Sequence, residues 1–116
     1  MIRRGDVVIA DLSPAVGHEQ GGLRPVLVLS PATYNAWPIG MAVIAPITST
    51  DRRLRHHIPI GREAGLRREP SFVMPEYVRA ISQQRLTGQS VGVALPATVE
   101  AVERWVSQFT TETRIG

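Results

Sequence analysis

The chain has 116 residues, of which 43% are hydrophobic and 20% charged, values that suit one soluble domain with a modest core. It contains no cysteine, which excludes disulfides, thiolate nucleophiles and cysteine-based zinc sites. The net charge is +3 and all 13 cationic side chains are arginine, a mild bias toward a polyanionic partner. A GC-rich genome produces the same excess of arginine over lysine, so the functional argument rests on where individual arginines stand. The N-terminus reaches charge at Arg3, Arg4 and Asp6 with no long apolar run behind it, and no stretch is long enough to span a bilayer. The expected compartment is the cytoplasm, with no membrane partner.

In chain order, residues 7–12 form a first strand, followed by a glycine-rich loop over 13–23 that holds Gly17, Gly21 and Gly22. Residues 25–30 are a continuous apolar run, the mark of a buried central strand. Residues 31–35 read as a helical turn opened by Pro31. Residues 41–48 are another strand, and Pro46 within it should face an edge or a bulge because it cannot donate to a ladder. A charged loop over 51–55 leads to a short strand at 57–60, and 61–70 is polar and turn-like. Residues 71–74 and 77–81 read as one long interrupted strand, and 91–93 as a last short one. A helix opening at Pro96 places Val99, Val102, Val106 and Phe109 on one buried stripe, with Glu100 and Arg104 as an i,i+4 pair on its polar side. Trp105 belongs to ordinary core packing. No repeat or low-complexity segment interrupts this pattern, so 1–116 is expected to be a single domain. Many short strands and one C-terminal helix suggest a small β-barrel of SH3-like size.

Several blocks together resemble one family. Arg4-Gly5-Asp6-Val7 followed by Asp11-Leu12-Ser13-Pro14 is similar to the opening of MazF/PemK toxins. The run from Gly17 through Arg24 and Pro25 to Ser30 is the strongest match, and Asn35, Pro46-Ile47-Thr48-Ser49, Gly65-Leu66, Ser71, Val78-Arg79-Ala80-Ile81 and Arg85-Leu86 continue it in order. The resemblance spans nearly the whole chain. It implies a mainly β fold with a C-terminal helix, the CcdB/PemK type of SH3-like barrel, working as a homodimer. It implies cleavage of single-stranded RNA at a short sequence, without metal or other cofactor, and neutralisation by a cognate MazE-like antitoxin.

Cutting RNA without metal requires the ribose 2′-OH to attack the adjacent phosphorus, a group to accept the 2′ proton, and cationic stabilisation of the transition state. Arg24 stands where a flexible loop meets a rigid strand and matches the family's catalytic arginine; clamping the phosphate is its expected role, since a guanidinium holds its proton far above pH 7. Thr48 offers a hydroxyl at a strand end and is raised above an ordinary β-former by its match to the family Ile-Thr-Ser. Glu19 is the third catalytic candidate, although RNA binding and loop ordering rank above proton transfer for it. His18 has a suitable titration range, but family members commonly carry a small polar residue there.

Gly17, His18, Gln20, Ser49, Arg52, Arg53, Ser71, Glu76, Tyr77 and Arg79 complete the expected RNA surface. The family usually has Gln where Tyr77 stands and no proline at Pro75, so the sequence cut does not carry over. Glu76 pairing with Arg79 is the ordinary reading of those two charges. A metal site from His56 and His57 is not expected, because adjacent strand residues point to opposite faces and His18 is the only other histidine. Two non-catalytic alternatives remain: a gyrase-binding toxin like CcdB, and an SH3-like RNA or peptide-binding module. The CcdB family uses a C-terminal Trp-Gly-Ile, whereas this chain ends Thr113-Arg114-Ile115-Gly116.

Overall fold

A computed structural model describes residues 1–111; the C-terminal tetrapeptide compared with CcdB lies outside them. Seven strands form one antiparallel system: β1 (Asp6–Asp11), β2 (Leu23–Val28), β3 (Met41–Thr48), β4 (Ile58–Ile60), β5 (Ser71–Val73), β6 (Arg79–Ser82) and β7 (Leu86–Val93). A single helical turn, α1 (Ala32–Asn35), links β2 to β3, and α2 (Pro96–Thr110) closes the chain. The strand order is β4-β5-β3-β2-β1-β7, with β6 also paired to β3.

The apolar run predicted as a central strand is central because its two faces feed two cores. Leu27 and Leu29 face Ala45, Ile47, Val7, Val99 and Val102, whereas Val26 and Val28 face Ile44, Ala42, Val8, Leu12 and Ile81. Successive side chains of one strand point to opposite faces, so a strand covered on both sides loses its polar alternation. The helix α2 covers the first core with Val99 and Val102, and Val106 packs beside them. Phe109, the last residue of the expected buried stripe, is instead 47% exposed. Its ring stacks on Trp105 and makes an edge contact with His56. The expected Glu100–Arg104 pair is not among the ion pairs of the described residues; Arg4 reaches across from the N-terminus to Glu103 instead.

Two departures from the sequence reading have a backbone cause. The interrupted strand is two strands, β5 and β6, divided by a 3₁₀ turn at Pro75–Tyr77. Both pair with β3, one on each side of Pro46: Ile47 and Thr48 pair with β5, and Met41 to Ile44 with β6. Pro46 accepts the Met74 N–H at 2.9 Å, so its missing donor faces the seam between the two strands, where no ladder bond is required. The last strand runs from Leu86 rather than from Val91. Its first half escapes a hydrophobicity reading because Thr87 to Ser90 are exposed and polar, and its pairing to β1 slips register twice.

The expected barrel is not closed by hydrogen bonds. Among the described residues β4 pairs only with β5, and β7 only with β1. Near the two ends, Gly65 and Gly92 bring backbone against backbone. A Cβ on Gly65 would strike the Val91 carbonyl, and one on Gly92 would strike the Ala64 carbonyl. Glycine at both positions is what lets these segments pack.

Leu27 is fully buried on the strand that both cores share. Leu27→Ala should therefore lower the unfolding free energy by about 2–5 kcal/mol, whereas Val93→Ala, 60% exposed, should stay within about 0.5 kcal/mol. Urea denaturation of the two variants beside the parent checks the contrast.

Candidate active site

The site is mounted where β2 and β3 emerge from the core. The β2–β3 ladder ends where Val26 pairs with Pro46; Arg24 lies two residues before Val26 on β2, and Thr48 two residues after Pro46 on β3. Both line one cleft of about 470 Å³, together with Gln20, Leu23, Ser49, Thr50, Arg52, Arg67, Arg68 and Ser71. The lining contains four arginines and no aspartate, glutamate or histidine. Among the described residues none of these four guanidinium groups lies in an ion pair.

Arg24 is half-buried, and its Nε donates to the Gly21 carbonyl at 3.2 Å. That bond orients the fork and leaves its terminal nitrogens to a ligand. Burial first, and the charge of Arg52 second, lower its pKa from the ordinary value. Both effects disfavour the bare cation, and an anion seated in the cleft would relieve both. Thr48 is buried, and its Oγ1 accepts the Thr50 N–H at 3.1 Å, which fixes the oxygen and leaves its O–H to donate. Ser71 Oγ donates to the Arg68 carbonyl at 2.6 Å, so this hydroxyl holds the arginine pair in the cleft wall as much as it faces a ligand.

Glu19 lies in a neighbouring hollow of about 300 Å³ with Gln20, Pro46, Glu76, Tyr77, Val78 and Arg79. Gln20 lines both hollows, so the two adjoin. Glu19 Oε1 accepts the Val16 N–H at 2.8 Å, and the loop is pinned at its base by Arg85, which donates to the Ser13 carbonyl at 2.6 Å. The φ of +76° at Gly22 is a left-handed conformation that lets the loop re-enter β2. Gly17, His18 and Arg53 line neither hollow, although all three were expected at the RNA surface.

The structure gathers groups that the sequence reading left apart. Arg67 and Arg68 were absorbed into a turn-like segment; the signal that could have found them was two consecutive arginines after the family-matched Gly65-Leu66. Glu76 does not pair with Arg79. Its Oε2 sits 3.1 Å from His56 Nε2 and 2.7 Å from His57 Nε2. The reason offered against His56 and His57 acting together also fails. They precede β4 in a turn closed by His57 N–H to the Leu54 carbonyl, 3.1 Å, and a turn can aim neighbouring side chains to one side. These three residues are the group of metal-ligating type among those described.

A cleft lined by four arginines at the end of a small β fold suits an anionic ligand, and comparisons with known proteins show the family. The sequence model for the PemK-like, MazF-like toxin of type II toxin-antitoxin systems matches residues 3–110, and the chain belongs to that family. It is 42% identical over 90 residues to the Endoribonuclease EndoA of Bacillus subtilis (strain 168), covering 75% of this chain and 76% of that protein. Its fold matches MazF of Deinococcus radiodurans with a TM-score of 0.83 and 26% identity, covering 93% and 94% of the two chains. A MazE–MazF complex from the same organism matches at a TM-score of 0.76, 26% identity and the same coverage. Among the described residues no helix is long and apolar enough to cross a membrane.

The Glu76 carboxyl carries the pH dependence of this region. Burial pushes its pKa up, but hydrogen bonds from His57, from its own backbone N–H and from His56, with the charge of His57, outweigh burial and leave it below the ordinary carboxylate value of 4.5. A folded pKa below the unfolded one gives stability that is present above the unfolded value and is lost as pH falls through the folded one. Glu76→Gln should therefore destabilise the protein more at pH 7 than well below 4.5, and urea unfolding at the two pH values measures the difference.

Proposed function

We propose that this chain is the toxin of a type II pair and acts in the cytoplasm as a metal-independent, sequence-specific endoribonuclease on single-stranded RNA. The observation that carries the reading is the convergence of half-buried Arg24 and buried Thr48 on one cleft whose other cations, Arg52, Arg67 and Arg68, have no carboxylate partner among the described residues. The ribose 2′-OH attacks the adjacent phosphorus as its proton is removed, and the bond to the 5′ oxygen breaks as that oxygen takes a proton from water, leaving a 2′,3′-cyclic phosphate and a 5′-OH. Only RNA carries the nucleophile. The Arg24 fork clamps the non-bridging oxygens as charge builds on them, and the Thr48 O–H donates to the same group. Of the carboxylates in the adjoining hollow, Glu76 is held by two histidines, which leaves Glu19 Oε2 to accept the 2′ proton. Arg52, Arg67 and Arg68 follow the phosphates, and Gln20, Tyr77 and Arg79 meet the bases in the second hollow. Ser49 and Ser71 add hydroxyls on the cleft wall.

The donor set supports metal independence: the cleft lining itself offers arginine, hydroxyl and amide groups rather than carboxylate or imidazole. The cationic surface suits the acidic tail of a MazE-like antitoxin, in keeping with the MazE–MazF complex that the fold matches. The working form is a homodimer.

Incubation of the purified protein with a long single-stranded RNA should give cyclic phosphate ends with or without EDTA. Arg24→Ala should cut about 10²–10³-fold more slowly while remaining folded, and Thr48→Ala about tenfold more slowly. Cleavage by Arg24→Ala at the parent rate would remove the site assignment; loss of cleavage in EDTA would remove the mechanism. Light scattering at micromolar concentration should give twice the chain mass, and co-expression with the neighbouring reading frame should restore growth.

A further inference from the structure

His56, His57 and Glu76 lie outside the Arg24 cleft and are not needed for the chemistry assigned to it. One ligand atom from each of the three lies within 4.8 Å of the other two. The His57 side chain is 2% exposed and forms the floor, while His56 at 25% and Glu76 at 28% leave one side open to solvent. His57 Nδ1 is the one buried side-chain nitrogen or oxygen without a hydrogen-bond partner among the described residues. We propose that these three residues form a binding site for a divalent first-row transition ion such as Zn²⁺, separate from the RNA cleft.

Two imidazoles and a carboxylate favour zinc, cobalt, nickel and copper over magnesium and calcium, which prefer all-oxygen shells. Three protein ligands leave a fourth position for water on the open side. With metal–ligand bonds of about 2.1 Å, neighbouring ligand atoms in a tetrahedral site stand about 3.4 Å apart. The 2.7 and 3.1 Å spacings to Glu76 Oε2 are shorter, as befits hydrogen bonds in place of metal bonds. Entry of the ion needs Glu76 to retreat by less than an ångström, and it is the ligand on the exposed side. His57 sets the affinity. Ligation through Nε2 leaves the ring proton on Nδ1, which has no acceptor, so affinity is about tenfold to a hundredfold below that of a site whose histidine carries such a partner. The site therefore binds in the micromolar rather than the nanomolar range. Its occupant joins the loop that carries Arg52 to the turn that carries Tyr77, two parts of the surface proposed to meet RNA.

The His56 ring lies 5.9 Å from the ring of Trp105, which supplies a reporter. In the full chain bearing Trp37→Phe, Trp105 is the only tryptophan of the original 2. Co²⁺ should quench it with a saturable micromolar midpoint, and Zn²⁺ should displace Co²⁺ and raise the melting temperature by a few degrees. His56→Ala and Glu76→Gln should each weaken binding at least about tenfold with an unchanged circular dichroism spectrum, as loss of one ligand in three requires. Arg24→Ala should bind the ion like the parent. Quenching that does not saturate below millimolar Co²⁺, or that survives in the double variant of His56→Ala with Glu76→Gln, would overturn the site. Neither result bears on RNA cleavage, which is expected to persist in EDTA.

Discussion

The proposed site hangs on the antiparallel register between β2 and β3. Val26 opposite Pro46 sets the two strands side by side, and Arg24, two residues back along β2, and Thr48, two residues on along β3, line one cleft. The register is held by two cores at once, Leu27 and Leu29 on one face and Val26 and Val28 on the other. A slip of one residue would exchange the faces and turn each core residue toward the wrong layer. The geometry of the cleft is therefore stabilised by apolar burial remote from it, and the polar residues of the site are free to serve a ligand.

That freedom is visible in the electrostatics. A buried or half-buried arginine usually acquires a carboxylate. Here Arg24 has only the Gly21 carbonyl, with Arg52 near enough to disfavour its charge further. Among the described residues four cations gather without acidic partners, which costs stability, and an anionic ligand would offset that cost. The acidic groups that could have neutralised them are used elsewhere: Glu103 on Arg4, Glu69 on Arg62, Glu76 on two histidines, and Glu19 on the backbone of its own loop.

The seam at Pro46 links the two halves of the surface. Proline stops β3 from holding one continuous partner, so β5 departs on one side and β6 on the other, and the turn between them presents Glu76 and Tyr77. Because Pro46 also lines the second hollow, the residue that divides the ladder helps to shape the place where base contacts are proposed. The same turn meets the histidine pair and, through His56, the Trp105 and Phe109 rings of α2. The exposure of Phe109, unexplained by a core stripe, fits its place in this aromatic group.

Local sequence determined what depends on local chemistry. The apolar run of β2, the helix opened by Pro96 and the loop ending at Arg24 were legible because strand burial, proline at a first turn and glycine-rich loops leave short-range marks. Arg24 and Thr48 were identified through an ordered family resemblance; their meeting in one cleft is a property of the β2–β3 register. Tertiary structure alone decided which arginines share a cleft, that Arg67 and Arg68 belong with Arg24 while Arg53 does not, and that Glu76 faces His56 and His57 rather than Arg79. These are contacts between residues far apart in the chain, or between neighbours in a turn whose direction no periodicity encodes. Strand β7 was only half visible for the same reason: backbone pairing to β1, not the burial of its exposed polar side chains, makes Thr87 to Ser90 a strand.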